Sequence, residues 1–440
     1  MSAVTFSGLA SGIDSQSLIA KLVAAEKTAA NPLTNDQTNI NTQKSIVGSL
    51  SSALANLGTT MKALDLDSEV KPQTATTSDG KVSMAVSSSA ALGTHSLRVQ
   101  SLATMQITSS TTFASNTAGV AGTGGLDITV GGVTKSVAWD STDTLDTIAS
   151  KITDANNGVT ASVLFDGSKY RLMVTAAKTG TAAAPTFTDS GNGLDLSNAA
   201  NVKRPAKDAV VTIDGVDVTR STNVIADALA GVTLTLNAPQ AAADPDTIGT
   251  VALDQTALDK KMTAMVAAYN SVNSALHVQL DYSGSTKGGD TLFGDSTLSN
   301  LQGQLGTIFS SAYGGSNLGM IGLSRDKTGA LTYDSTKLAT ALATDPNALS
   351  TVFVKGGFAA AIEGLSDTYT SPTTGILSAK TTGLDDRYKS LQDQIDQINN
   401  SADQLQTRLQ AQFTALEQAM SSLQSQSQQL TAMFTKQTTA

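Results

Sequence analysis

The chain has 440 residues, of which 15% are charged and 4% aromatic, and its formal net charge is −9. This length exceeds one ordinary hydrophobic core, so roughly two to four domains are expected. The acidic balance argues against nucleic acid as a partner, because phosphate binding requires clustered Lys and Arg. Cysteine is absent, which excludes disulfides, thiol catalysis and thiolate metal sites.

The first residues carry no signal of the secretory type. Residues 1–14 contain neither a basic segment nor an apolar core, so we do not expect a cleaved signal peptide. No apolar run reaches the ~18 residues of a membrane-spanning helix, so we expect no membrane insertion. Asp14 is a suitable helix N-cap, and the apolar residues after it repeat at helical spacing: Leu18, Leu22 and Ala25, with Ile19 and Val23 alongside. Pro32 is expected to interrupt this helix, because the residue before a proline avoids the α region.

A second helical pattern begins at Leu33. Its apolar positions are spaced by seven and then by four and three: Leu33, Ile40, Val47, Leu50, Leu54, Leu57, Met61 and Leu64. Asp36 and Gln43 occupy the other seam positions of its first half, which is therefore poorly paired on its own. Two interpretations remain open: an amphipathic helix within one globular domain, or one member of a helical stalk built from both ends of the chain.

Between Pro72 and about Val251 the apparent period falls to two, which predicts short β-strands and turns. Residues 128–133 and 211–216 resemble each other, since each combines a strand with a glycine-containing turn. After the first copy we predict a helix over 144–152 and a hairpin turning at Asp166-Gly167. After the second copy we predict a short helix over 224–229 and a strand over 232–236. Residues 175–205 are expected to be the least regular part.

Helical periodicity returns at Thr256 and continues to Leu276, and glycines 284, 288 and 289 are expected to end this helix. A further helix is predicted over residues 296–313. The segment 326–329 has the composition of a hairpin turn, and two short helices are predicted around Leu338 and Ala348.

The C-terminal segment carries the strongest pattern in the chain. Apolar residues alternate in steps of four and three, as in a heptad seam: Leu384, Tyr388, Leu391, Ile395, Ile398, Ala402, Leu405 and Leu409. The step to Phe413 is four where three is due, which is a stutter, and the alternation resumes through Leu416, Met420, Leu423, Ser427, Leu430 and Phe434. A lone helix of this kind is marginal in water, so it needs a second helix to cover the stripe. Its polar face is mainly Gln and Ser, so the charge pairs that usually set coiled-coil partners are scarce.

These elements predict an α+β multidomain protein with a helical coiled-coil stalk from both termini, a helical-bundle domain and inserted β-rich head domains. The predicted domains are 1–39 and 381–440 as terminal coiled-coil legs, 40–71 and 254–380 as a mainly helical domain, 72–110 and 206–253 as a β-rich domain, and 111–205 as an outer inserted β-rich domain. The predicted coiled-coil and partner interface follows the seam: Leu18, Leu22, Leu33, Ile40, Leu384, Tyr388, Leu391, Ile395, Ile398, Leu405, Leu409, Phe413, Leu416, Met420, Leu423, Leu430 and Phe434.

The residues give little support for catalysis or metal binding. The histidines, His95 and His277, have no second His or carboxylate at ligand spacing in the sequence, so no metal site is predicted. The segment 122–125 (GTGG) precedes a strand, whereas a phosphate-binding loop follows a strand and opens a helix. No group of acid, base and nucleophile emerges, so we predict neither an enzyme nor a cofactor.

Three segments resemble the family of the flagellar filament cap protein, also called FliD or hook-associated protein two. The first is residues 8–14 (GLASGID) followed by Leu18, Leu22 and Glu26. The second runs from residues 234–236 (LTL) through 265–270 (MVAAYN), with the later turn at 329–331 (GAL). The third and most specific is residues 408–417 (RLQAQFTALE), running on to Leu430 and Phe434. The two similar internal segments also resemble a short repeat of flagellins and their relatives.

The resemblance implies a structural cap at the distal end of the bacterial flagellar filament, which retains exported flagellin and promotes its folding and insertion. It implies a ring of about five identical subunits, with helical legs on the filament end and β-rich domains in the plate. It also implies type III export, an export chaperone, and an extracellular position at the flagellum tip without a cleaved signal peptide. A surface adhesin using the exposed β-rich head is the alternative, and a junction protein or flagellin-like subunit is a close relative of the cap interpretation.

Overall fold

The computed structural model describes residues 12, 14–117, 119, 121–190, 193–280 and 291–437, with side chains described as far as Met433. The chain divides into two compact units. The helical unit is Met1–Val70 with Asp259–Ala440, and the β unit is Lys71–Leu258. The β unit is therefore inserted between the two parts of the helical unit, as the expected fold class requires.

The α-helices of the described residues are, in chain order, α1 (Ser15–Lys27), α2 (Asn31–Lys62), α3 (Asp67–Val70), α4 (Leu145–Asp154), α5 (Gln255–Leu280), α6 (Ser296–Ser310), α7 (Ser335–Thr344), α8 (Phe358–Thr370) and α9 (Ile376–Gln437). A π-helical turn at Ser350–Lys355 precedes α8. The glycines expected to end α5 lie outside the described residues. α9 begins at Ile376, somewhat before the heptad seam that predicted it.

The predicted break at Pro32 is only a short change of helix type. Asp14 caps α1, and its Oδ1 accepts a hydrogen bond from the Ser17 backbone N–H at 3.0 Å. A 3₁₀ turn at Thr28–Ala30 then passes into α2, where Pro32 lies in the first turn and has no helical hydrogen bond to lose. The helical path is therefore nearly continuous from α1 into α2.

α2 lies in the core of the helical unit, where it packs against α8 and α9. The predicted apolar stripe in its second half is buried, each residue being at most 1% exposed: Leu50, Leu54, Leu57 and Met61. Burying a side chain of this size contributes roughly 1.5–3 kcal/mol relative to leaving it exposed. Gly58 lets α8 approach closely, since a Cβ there would lie 2.5 Å from Ser366 Oγ.

α8 is an element that the sequence reasoning missed. Its apolar residues do lie at helical spacing, and all are buried: Phe358, Ile362, Leu365 and Tyr369. The pair Gly356-Gly357 before it and Pro372 after it confine the pattern to a short segment, which hides the periodicity. Gly357 adopts a φ of 79°, a left-handed conformation that lets the chain turn into the helix. Phe358 then meets Phe309 and Phe353, with ring centroids 5.2 and 5.1 Å apart.

The strands are β1 (Gln73–Thr77), β2 (Val82–Val86), β3 (Gly93–Ser101), β4 (Ile107–Ser109), β5 (Gly124–Val130), β6 (Val133–Trp139), β7 (Val159–Phe165), β8 (Tyr170–Ala176), β9 (Thr186–Ser190), β10 (Val202–Arg204), β11 (Ala209–Ile213), β12 (Val216–Arg220), β13 (Val224–Leu229), β14 (Val232–Leu236), β15 (Thr247–Leu253), β16 (Leu323–Arg325) and β17 (Leu331–Tyr333). The predicted hairpins are confirmed, because β5–β6, β7–β8, β11–β12 and β16–β17 all pair antiparallel across them.

Two hydrophobic cores divide the β unit into an inner and an outer module. The inner module, residues 73–101 and 209–253, contains the sheets β1-β15-β3-β11-β12 and β13-β14-β2, and Leu97 lies in the core between them. The outer module, residues 107–204, contains the sheets β10-β4-β8-β7 and β6-β5-β9, and Trp139 lies in its core beside side chains of α4. The outer module is inserted between β3 and β11 of the inner one.

The structure corrects one prediction for the β unit and sharpens another. The short helix predicted over 224–229 is strand β13, in which Val224 pairs with Thr235 of β14. Its first two residues are β-branched, which favours a strand, and six residues are too few for a stable helix. The segment 175–205 is more ordered than expected, since it contains β9 and β10 and buries Leu194 in the outer core.

Candidate assembly surface on the terminal helices

The predicted interface residues pass from buried to exposed along the seam. Three are buried, each at most 9% exposed: Ile40, Leu384 and Leu391. The half-buried residues are Leu33, Tyr388, Ile395, Ile398, Leu405, Leu409, Phe413 and Met420. The exposed residues are Leu18, Leu22, Leu416, Leu423 and Leu430. The side chain of Phe434 lies outside the described residues.

α1 packs against α9 through a face that differs from the predicted one. Ile19 and Val23 are buried against Ala402 of α9. Leu18 and Leu22, which the spacing placed on the seam, are 42% and 44% exposed. The pairing of the first and last helices is thus present, but α1 is rotated relative to the expectation.

The continuous junction with α2 explains this rotation. Steps of three, seven and four residues lead back from Leu33 to Ala30, Val23 and Ile19. Ala30, Val23 and Ile19 are all buried, so one stripe continues through both helices. The sequence interpretation treated Pro32 as a break and therefore gave α1 a phase of its own.

Three polar contacts hold the first two helices against α9 in one register. They are Lys27 Nζ to Asp403 Oδ1 at 3.1 Å, Gln37 Nε2 to Gln392 Oε1 at 3.0 Å, and Lys44 Nζ to Asp385 Oδ1. The residue number on α9 decreases from 403 to 385 as the number on α1 and α2 increases from 27 to 44, so α9 runs antiparallel to these two helices. Gln37 is only 7% exposed, and burying its amide would be costly without this partner. Interhelical charge pairs, expected to be scarce, are therefore present in this part of α9.

We call residues 376–413 of α9 its proximal segment and residues 414–433 its distal segment. The seam continues into the distal segment, where Met420 is half-buried but four other apolar side chains are exposed: Leu416 is 44% exposed, Leu423 59%, Leu430 55% and Met433 70%. Glu417 is the only charged residue of the distal segment. A helix face that is both apolar and nearly uncharged favours contact with another chain over exposure to water.

The other candidate residues do not assemble into a chemical site. His95 does meet a carboxylate, contrary to the sequence interpretation: its Nδ1 lies 2.7 Å from Asp214 Oδ2. This hydrogen bond and one from the Ser96 backbone N–H lower the pKa of Asp214. The pair connects β3 to the β11–β12 turn. Within the described ranges, no group of three or more His, Cys, Asp or Glu side chains is placed to hold a metal ion.

Two remaining expectations concern the ends of the chain and the membrane. Of the N-terminal motif, residues 8–11 and 13 lie outside the described residues, while Asp14 serves as the cap of α1. No helix in the described part of the chain combines the length and apolar character needed to cross a membrane.

Comparison with known proteins shows similarity to flagellar hook-associated protein 2 along almost the whole chain. Family descriptions of the flagellar hook-associated protein 2 C-terminus and N-terminus match residues 206–425 and 11–106, and the flagellin hook IN motif matches residues 125–178. Flagellar hook-associated protein 2 of Escherichia coli O157:H7 is 30% identical over 99% of this chain and 98% of its own. The A-type flagellar hook-associated protein 2 of Pseudomonas aeruginosa is 28% identical over 95% of each chain.

A solved structure supports the same assignment. The D1-D2-D3 domains of the flagellar cap protein FliD from Escherichia coli match with a TM-score of 0.63 and 28% sequence identity, covering 78% of this chain and 100% of that one. The flagellin hook IN motif covers the segment from β5 to just beyond β8, which includes the first of the two internal copies. The adhesin alternative gains no support from these relatives. The chain belongs to the flagellar hook-associated protein 2 family.

Proposed function

We propose that this protein is the structural cap at the distal end of the bacterial flagellar filament, where it retains exported flagellin and promotes its folding and insertion. The family supports this role, because a relative of the same fold is described as a flagellar cap protein. The observation in the structure that carries the proposal is the exposed apolar face of the distal segment of α9. A cap must hold neighbouring chains, and this face provides a surface for doing so.

The seam has two roles in this proposal. Its buried part, centred on Leu391, folds the chain by holding α9 against α2. Its exposed part, which includes Leu416 and Leu423, contacts other chains: neighbouring subunits of a ring of about five copies and the end of the filament. Leu18 and Leu22 are also exposed, on α1, and provide further apolar contacts for other chains.

The predicted domains take separate tasks in the assembled cap. The legs, residues 1–39 and 381–440, contact the filament, while residues 72–253 form the plate that confines flagellin. The protein acts outside the cell at the flagellum tip, and it reaches that position by type III export, with an export chaperone and without a cleaved signal peptide. The flagellar relatives support this location.

The test places a charge on the exposed face. In Leu423→Asp, assembly would bury a carboxylate with no partner, at a cost of several kcal/mol per subunit, so we expect the ring to be lost. The free chain should fold normally, because Leu423 is already 59% exposed. Ser425→Asp adds the same charge two residues away on another face of the helix and is the matched control. Sedimentation velocity and electron microscopy of both variants give the oligomer.

In cells, the same two variants distinguish a filament cap from a surface adhesin. A strain carrying Leu423→Asp in place of the native protein should release monomeric flagellin into the medium and make few filaments, whereas Ser425→Asp should swim. Rings and filaments of normal appearance with Leu423→Asp would refute the assembly role of this face. Normal swimming with loss of surface attachment would instead favour an adhesin.

A further inference from the structure

The inner and outer modules of the β unit are connected by two short chain crossings. Residues 104–106 lead from the inner core to β4, and residues 205–207 return from β10 toward Asp208 and β11. The crossings lie side by side: the Thr104 backbone N–H donates to Lys207 O at 2.9 Å, and the Lys207 N–H donates back to Thr104 O at 3.3 Å. Thr104 Oγ1 also donates to Pro205 O at 2.9 Å, and Arg204 Nε donates to Met105 O at 3.0 Å, so the crossings are held mainly to each other. An isolated pair of extended segments of this kind is only marginally stable by itself. The crossings alone therefore do not fix the orientation of the outer module.

A third connection comes from the loop after β8. We call residues 177–183 the latch, because this outer-module loop contacts the inner module and the crossing beside it. Asp208, next to β11, accepts two hydrogen bonds from Thr181 of the latch: from its backbone N–H to Oδ1 at 2.8 Å, and from its Oγ1 to Oδ2 at 2.6 Å. These two hydrogen bonds, the hydroxyl one first, lower the pKa of Asp208 below its ordinary value. Ser101 of β3 donates to the Asp208 carbonyl at 3.1 Å and ties this residue to the inner sheet.

A second contact lies on the other side of the latch. Thr179 Oγ1 donates to the carbonyl of Ser221, just after β12, at 2.6 Å. Gly180 approaches so closely that an added Cβ would lie 2.4 Å from Ser221 Cβ. Its φ of 96° is also one that side-chain-bearing residues rarely adopt. Glycine is therefore required here both for its backbone conformation and for contact between the modules.

The latch closes beside an open cleft. The cleft has a volume of about 550 Å³ and is lined by residues of both modules, including Val130 of β5, Lys178 of the latch and Thr222 after β12. The modules are thus not packed continuously around the latch. Space is available into which the outer module can turn if the latch contacts are lost.

We propose that the latch, rather than the two crossings, sets the orientation of the outer module, and that the crossings act as a hinge when the latch opens. Hinges of this kind are a few linking residues that absorb a change of φ and ψ while the bodies on either side stay rigid. Each module has its own hydrophobic core, so each remains folded when the latch opens. The latch is separate from the terminal helices and does not depend on the assembly role proposed for them.

The test measures the distance between the modules in the full-length chain. Because the protein has no cysteine, Ser162→Cys in the outer module and Ala252→Cys in the inner module provide two spin-label sites, both exposed. Pulsed electron–electron double resonance should give one narrow distance distribution in this doubly labelled parent protein. Adding Asp208→Ala or Gly180→Val should broaden and shift the distribution. Asp217→Ala is the control, since Asp217 also accepts two hydrogen bonds, from Gln100 and Thr212, but entirely inside the inner module.

The chain contains a built-in control for folding. Trp139 is the only tryptophan and lies 3% exposed in the outer core, so its emission reports whether the outer module is folded. Native emission with a broadened distance distribution supports the latch. Native emission with the parent's narrow distribution in Asp208→Ala would overturn it. If Gly180→Val unfolds the outer module, Asp208→Ala and the milder Thr181→Val decide the question alone.

Discussion

The proximal and distal segments of α9 share one heptad pattern and yet have different surroundings. Leu391 in the proximal segment is 8% exposed, whereas Leu423 in the distal segment is 59% exposed. Among the described residues, the apolar side chains of α1 pack against α9 only between Ala402 and Phe413. An apolar heptad therefore shows that a helix needs a partner, but it does not show whether the partner belongs to the same chain.

Charge and polarity distinguish the two segments where the apolar pattern does not. The proximal segment carries the ion pairs of Asp385 and Asp403 with α2 and α1. The sequence of the distal segment contains one charged residue, Glu417. Ion pairs between helices select one partner and one register. We infer that the proximal segment is specified for its own chain, while the distal segment is left for contacts made in the assembly.

The largest expected difference is in the free energy of unfolding when one leucine of each segment is replaced by alanine. Leu391→Ala should lower the free energy of unfolding by about 2 to 4 kcal/mol, because it opens a cavity against α2. Leu423→Ala makes the same chemical change on the exposed face and should cost no more than about 0.5 kcal/mol in the free chain. Urea unfolding of both variants under conditions where the chain is monomeric measures the difference. Equal losses at the two positions would show that the segments are not distinct.

Acidification should loosen the proximal segment through Asp295. This residue caps α6 and pairs with Lys380 at the start of α9. Burial works against its ionisation, but the hydrogen bond and charge of Lys380, together with hydrogen bonds from the Leu298 and Thr297 backbone N–H groups, lower the pKa of Asp295 overall. A lowered pKa stabilises the fold at neutral pH, and this stabilisation is lost as the pH falls below the ordinary carboxyl value, roughly pH 4.

The matched variant for this pH effect is Asp295→Asn, which still caps a helix but carries no charge. It should be less stable than the wild type at pH 7, and the two curves of unfolding free energy should converge as the pH falls toward 3. A constant difference between the curves across this range would rule out the Asp295–Lys380 pair as the source.

The smallest expected effect concerns the ion pair of Lys27 and Asp403. Their side chains are 44% and 62% exposed, so the coupling should be only about 0.2 to 1 kcal/mol and should weaken with salt. A double-mutant cycle with Lys27→Ala and Asp403→Ala measures it, and exchanging the two charges should restore most of it. A coupling of zero at low salt would leave Gln37 and Lys44 as the residues that set the register.

Much of the fold could be predicted from local patterns. The α9 seam, the α2 stripe through Leu54 and the hairpin turn at Asp214-Gly215 depend on neighbours a few residues away, and the sequence shows these directly. The missed features depend on tertiary context. Pro32 has a strong local preference that the first turn of α2 accommodates, and β13 becomes a strand because β14 is available for pairing. α8 needed the surrounding aromatic cluster to reveal its buried face.

The candidate surface was predictable only in part. The heptad pattern identified the apolar face of α9, but not which part of that face is buried within the chain, because burial depends on where α1 and α2 pack against it. The pair of His95 and Asp214 was also beyond sequence reasoning, since the two residues are joined only by the pairing of β3 with β11. The same is true of Asp208, whose partner Thr181 belongs to the latch, in the outer module.

Hydrogen–deuterium exchange along α9, compared between dilute monomer and assembled protein, tests the central claim most directly. Exchange reports local opening, so a helix segment that gains a partner gains protection. We expect residues 376–413 to be protected in both states and residues 414–433 to become protected only on assembly. Unchanged protection of the distal segment in fully assembled protein would contradict the account, because its apolar face would then remain uncovered.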